Sequence, residues 1–146
     1  MEKQDKMLTT IFYADDDIDD LDFFREVTEE IDEAVSLFEH GDKLLYSLNN
    51  PPPKASVIFL DLNMPVKSGF DILNEIKATP SIRNIPVIIL TTSINPSDIL
   101  QCKELGANLY IRKPTSVSAL KKAVSFVLET DWDTFTPSDK EFVYQH

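Results

Sequence analysis

Short, almost wholly apolar runs recur along this chain, and each ends in polar residues before giving way to a stretch with the period of a helix. LTTIFYA at 8–14 is rich in β-branched and aromatic residues, as a buried strand is, and runs into Asp15, Asp16 and Asp17. From there Ile18, Leu21, Phe24, Val27 and Ile31 recur every three or four residues, one face of a helix. AVSLF at 34–38 is a second run that Gly41 breaks, and Leu44, Leu45 and Leu48 mark a short helix stopped by the prolines at 51–53. SVIFL at 56–60 is continuously apolar, the pattern of a strand covered on both faces, and it runs into Asp61. After Gly69 a helical stripe of Phe70, Leu73 and Ile76 is ended by Pro80. PVIIL at 86–90 meets Thr91, Thr92 and Ser93, and a helix fits 96–105, with Pro96 at its first position and Gly106 at its stop. NLYIR at 108–112 is a less apolar strand suited to an edge, and Val117, Leu120, Val124 and Val127 give a last helix capped by Thr115 or Ser116. In chain order these are β1 to β5 and α1 to α5.

Such alternation predicts an α/β fold, a five-stranded parallel sheet doubly wound with helices on both faces, because each parallel crossover needs a helix-length, right-handed connection. In open sheets of this kind the chemistry gathers beyond the C-terminal ends of the strands. Here β1 ends in Asp15, Asp16 and Asp17, β3 in Asp61 and β4 in Thr91, while β5 is followed by Lys113. All of these groups fall at one edge of the sheet.

Length and charge bound the rest. One domain is expected from 146 residues with 42% hydrophobic content. With 14 basic and 25 acidic residues the net charge is −11, which repels nucleic-acid phosphates and anionic lipid headgroups, so neither nucleic acid nor a membrane is expected as partner. The single cysteine, Cys102, allows no internal disulfide and no cysteine-based zinc site, and suits a small buried hydrophobe on α4. No stretch has the apolar run of a signal peptide or membrane span, and a soluble cytoplasmic protein is expected.

Carboxylates brought together raise one another's proton affinity unless a cation lies between them. Hard oxygen ligands without histidine or cysteine favour Mg²⁺, which takes one or two carboxylates and phosphate oxygens. A carboxylate beside such an ion can attack a phosphoryl group, and the transfer needs charge stabilisation and in-line geometry more than acid or base chemistry. Lys113 supplies a cation for this, and the Thr91 hydroxyl a hydrogen bond.

Four blocks in order, YADDD at 13–17, FLDLNMPVKSGFD at 59–71, PVIILTTS at 86–93 and LYIRKP at 109–114, resemble the receiver domain of two-component response regulators, over roughly residues 7–128. The resemblance implies the flavodoxin-like strand order 2-1-3-4-5, the order that a member of this family typifies. It implies a chemotaxis-regulator-like receiver in 1–128 that is not an enzyme beyond its own phosphoryl transfer and slow dephosphorylation. Asp61 would be the phosphoacceptor, receiving the group from a sensor histidine kinase or phosphotransfer protein. Asp16 would ligate Mg²⁺ directly, Asp15 largely through water, and the Asn63 backbone carbonyl would complete the protein ligands. Lys113 would pair with the acceptor, across a cis Lys113–Pro114 bond. Thr91 would swing toward the phosphoryl oxygen and Tyr110 follow it inward, changing the α4-β5-α5 face presented to a downstream protein target. Asn63, Thr92 and Ser93 would tune turnover. Thr92 stands where this family usually has a smaller residue, and Thr115 stands where an aromatic is common.

Plainer roles fit other residues. Asp19, Asp20 and Asp22 suit a solvated first turn favoured by the helix dipole, and Asp17 suits a helix N-cap. Asp15, Asp17, Asp19 and Glu26 mimic a calcium loop, but Asp20 occupies the position that needs glycine. His40, His146, Lys121 and Lys122 read as surface. Residues 129–146, an acidic extension with Trp132, Phe135, Phe142 and Tyr144, are too aromatic for a solvated tail and too short for an output domain. They either fold back on their own domain or contact a partner, including a second copy in a homodimer. Two further functions compete: a Mg²⁺-dependent phosphatase of the haloacid dehalogenase type, using Asp15 and Asp17, and a receiver fold that binds partners without phosphorylation.

Overall fold

A computed structural model describes residues 9–146. The sheet has five parallel strands in the order β2-β1-β3-β4-β5, the flavodoxin-like order. The elements run β1 Thr9–Ala14, α1 Ile18–Glu30, β2 Val35–Phe38, α2 Gly41–Leu48, β3 Lys54–Leu60, α3 Gly69–Ala78, β4 Val87–Thr91, α4 Pro96–Glu104, β5 Leu109–Arg112 and α5 Val117–Glu129. Leu8, expected to open β1, lies outside the described residues. β3 starts two residues before its apolar run, because Lys54 and Ala55 pair with Thr9 and Thr10 across a register shift that precedes Ile11.

Alternation along the strands feeds two cores. Phe12, Ala14, Ile58 and Leu60 join Leu44, Ile72, Leu73 and Ile76 under α2, α3 and α4. Ile11, Tyr13, Val57 and Phe59 join Leu21, Phe24, Val27, Leu120 and Val124 under α1 and α5. Both faces are covered, which is why the central strands read as unbroken apolar runs. Cys102 is fully buried in the first core, and burial pushes its thiol up to about 12.

Local signals set the helix ends. Asp17 caps α1 by accepting from the Asp19 amide at 2.9 Å, Ser68 and Asp71 form a capping box on α3, Asn95 caps α4 ahead of Pro96, and Ser116 caps α5. Gly106 stops α4 at φ +99°. The segment after α5 folds back on the molecule. Trp132 donates to the Val127 carbonyl at 3.0 Å, Phe142 is buried in the first core, and Val143 bridges in parallel to Tyr110 of β5.

Gly69 opens α3 against the end of β3. A Cβ there would lie 2.3 Å from the Asp61 carbonyl oxygen and 2.7 Å from the Leu62 Cα, both backbone atoms that cannot step aside. Gly69→Ala should therefore lower stability by ~1–3 kcal/mol in urea unfolding, through overpacking, although alanine is the better helix former.

Candidate functional site

Strand ends deliver the site. Parallel pairing holds β1 and β3 level, with the Asp61 amide donating to the Ala14 carbonyl at 3.1 Å, so Asp15 and Asp61 emerge side by side. Asp15 and Asp61 are buried and Asp16 is exposed; one carboxylate oxygen from each of the three lies within 4.8 Å of the others. Thr91, at the end of β4, is fully buried, with exposed Thr92 beside it. The Lys113 amide donates to the Thr91 carbonyl at 2.8 Å, which turns the lysine side chain into the same pocket.

The Lys113 ammonium lies 2.7 Å from Asp15 Oδ2, 2.7 Å from Asp20 Oδ2 and 3.5 Å from Asp61 Oδ2. Burial works against its charge, but hydrogen bonds to Asp15 and Asp20 and the field of Asp61 outweigh that and hold it above the ordinary lysine range. Asp15 is fully engaged: Oδ1 accepts from the Asp17 amide at 2.9 Å, and Oδ2 accepts from the Tyr13 hydroxyl as well as from Lys113. Burial, with Asp15 second, pushes the Tyr13 phenol well above its usual range. Asp61 differs, since its Oδ1 is buried without a hydrogen-bond partner. Burial pushes Asp61 up to about 6; Asp15 adds to the rise, and Lys113, Thr91 and the Asn63 backbone pull against it.

An orphaned buried carboxylate oxygen, flanked by two more acids and no soft donor, fits a hard divalent cation. Asp15, Asp16 and Asp61 are the side chains placed to hold one. Asn63 lies two residues past Asp61 on the exposed loop into α3.

On the far side of the pocket the 91–93 loop is wired to β5. The Thr91 hydroxyl accepts from the Ser93 amide at 3.4 Å, the Ser93 hydroxyl donates to Asp98 of α4 at 2.6 Å, and Tyr110 donates from its hydroxyl to the Ser93 carbonyl at 2.8 Å. Tyr110 is buried, which pushes its phenol up to about 12.

Three expectations change. The Lys113–Pro114 bond is trans; among the described residues the cis bonds are Pro51–Pro52 and Pro52–Pro53. Trans is the lower-energy isomer for most X–Pro bonds, and in it the ammonium already reaches all three carboxylates. Asp20, expected as a solvated first-turn acid, is a half-buried partner of Lys113; it lies in the first turn of α1, just past the acidic end of β1. Tyr13, read only as a strand residue, supports Asp15 from below, as the strand period of two allows. Asp17, by contrast, spends its carboxylate capping α1, so it is not aimed at Asp15 as a phosphatase acid would be.

Comparison with known proteins agrees with the geometry. The family model of the response regulator receiver domain matches residues 11–125, and the chain belongs to that family. Response regulator Rcp1 of Synechocystis is 44% identical over 82 residues, 53% of this chain and 56% of that protein. Chemotaxis protein CheY1 of Helicobacter pylori is 32% identical over 100 residues, 68% of this chain and 79% of that one. A solved structure of the Mn²⁺-bound form of Rcp1 superposes with a TM-score of 0.75 at 31% identity, covering 88% of this chain and 99% of that one. The chain thus spans little more than half of one such relative, and only 27% of a probable cyclic di-GMP phosphodiesterase of Vibrio cholerae that is 34% identical over 124 residues. Receiver domains are signalling modules rather than classical enzymes. No helix among the described residues is long and apolar enough to cross a membrane.

The raised Asp61 carboxyl carries a signed consequence. Because the folded state binds this proton more tightly than the unfolded state, the group favours folding fully below about pH 3.8 and loses that contribution as pH rises through about 6. Without divalent cations, denaturant unfolding should show stability falling from pH 5 to pH 7.5, and Asp61→Asn should remove that fall and gain up to ~3 kcal/mol at pH 7.5.

Proposed function

We propose that this chain is a phospho-accepting response regulator in which Asp61 takes a phosphoryl group from a sensor histidine kinase or phosphotransfer protein. The phosphorylated form then signals by binding a downstream protein through the α4-β5-α5 face. The observation that carries the reading is Asp61 itself: a buried carboxylate with one oxygen unpartnered, flanked by two acids and faced by a half-buried ammonium.

Asp15, Asp16, Asp61 and the Asn63 carbonyl would hold Mg²⁺, a hard divalent cation like the Mn²⁺ of the Rcp1 structure. When bound, it neutralises charge that builds on the phosphoryl oxygens. Asp61 supplies the attacking oxygen: its bond to phosphorus forms as the donor's bond to phosphorus breaks, leaving an acyl phosphate. Lys113 starts 2.7 Å from Asp20 and 3.5 Å from Asp61, so the new negative charge draws it away from the first toward the second. The buried Thr91 hydroxyl donates to a phosphoryl oxygen, and exposed Thr92 narrows the approach of attacking water.

Incubation with Mg²⁺ and acetyl phosphate should add one phosphoryl group by intact-mass spectrometry, and none in Asp61→Asn. Equal labelling of wild type and Asp61→Asn would overturn the assignment, and no labelling from acetyl phosphate, phosphoramidate or a phosphorylated donor protein would favour a phosphorylation-independent interaction module.

A further inference from the structure

β5 is the last strand of the five-stranded sheet, so one row of its backbone groups points away from β4. This chain covers that row with its own C-terminal segment. The Tyr110 amide donates to the Phe142 carbonyl at 2.9 Å and the Tyr144 amide donates to the Tyr110 carbonyl at 2.8 Å, a parallel bridge through Val143. Side chains extend the contact to both flanking helices. Phe142, 2% exposed, packs on the Tyr110 ring at 6.4 Å between centroids. Lys103 of α4 pairs with Asp139 and lies 5.9 Å over the Phe142 ring, while Tyr144 packs at 5.3 Å on Phe126 of α5. All three elements of the face assigned to output are thus occupied by residues 139–144.

We infer that the β5 edge is a strand-docking site for a downstream protein, and that residues 139–144 occupy it in the partner's place until Asp61 is phosphorylated. This rests on the phosphoryl-accepting reading above. The occupant defines the partner's chemistry: a short strand centred on Val143 and entered through a turn at 138–142, pairing in parallel with β5, with aromatic residues two apart and an acidic residue ahead of them. Strand addition of this kind takes affinity from main-chain bonds and specificity from the side-chain pockets. Along the backbone the internal segment makes one short bridge, with the His146 ring 2.9 Å from the Arg112 carbonyl beyond it, and the rest of its hold is side-chain packing, which suits an exchangeable occupant better than a permanent sixth strand.

Tyr110 links the two ends. Its backbone carries the segment, its ring supports Phe142, and its hydroxyl donates to the Ser93 carbonyl, whose own amide reaches the Thr91 hydroxyl. A Thr91 side chain that swings to donate to a phosphoryl oxygen carries its oxygen away from the Ser93 amide, which reaches it at 3.4 Å, and so frees the carbonyl that anchors Tyr110 to move. The ring on which Phe142 rests then shifts, and a partner strand competes on better terms, a coupling that acts equally in reverse.

The test uses the full chain, with phosphorylation read by intact mass in the same samples as hydrogen exchange by NMR. On phosphorylation the Tyr110 and Tyr144 amides should exchange at least about tenfold faster. A labelled peptide of residues 136–146 should bind the phosphorylated protein and not the unphosphorylated one. Phe142→Ala, and separately Tyr144→Pro at a half-buried site, should admit the peptide without phosphorylation. Full phosphorylation with unchanged amide protection, or equal peptide binding by both forms, overturns the inference and leaves the phosphoryl-accepting reading standing. Absence of phosphorylation overturns both.

Discussion

One ammonium makes the rest of this site possible. Lys113 sits among Asp15, Asp20 and Asp61, two of them buried, where like charges at such spacing would otherwise force protonation or push the strand ends apart. The neutralisation is incomplete. Lys113 satisfies Asp15 and Asp20 at 2.7 Å but stands 3.5 Å from Asp61, whose second oxygen has no partner. That shortfall in positive charge at Asp61 is what a divalent cation, and then a phosphoryl group drawing Lys113 across, would relieve.

The sheet keeps this arrangement rigid on one side and movable on the other. Asp15 and Asp61 are fixed by backbone pairing between central strands, by the Tyr13 hydroxyl and by the close approach of Gly69 to the end of β3. The 91–93 loop is held by single hydrogen bonds to Asp98 and Tyr110 instead. A charge change at Asp61 therefore finds its softest response toward α4 and β5, the elements that the aromatic segment covers.

Most of the fold was legible because its signals are local. Strands covered on both faces must read as apolar runs, and caps such as Asp17, Ser68, Asn95 and Ser116 announce themselves within a turn. The acids and Lys113 were legible because parallel strands place all their ends at one edge. What was missed depends on partners far apart in sequence. Asp20 looks like any first-turn acid until β5 brings Lys113 from 93 residues away. Tyr13 looks like core until the strand period sets its hydroxyl under Asp15. The aromatics of 129–146 signalled burial, but nothing in their spacing says that Phe142 seeks Tyr110.

In the proposed reaction Asp61 is the acceptor, and Lys113 leaves Asp20 for the group it accepts. A crystal structure with Mg²⁺ and beryllium fluoride, which mimics an aspartyl phosphoryl group, tests it most directly. The fluoride adduct is expected on Asp61, with the Lys113 ammonium bonded to it and Asp20 released into solvent. An adduct elsewhere, or a Lys113–Asp20 pair unbroken beside an occupied Asp61, would contradict it.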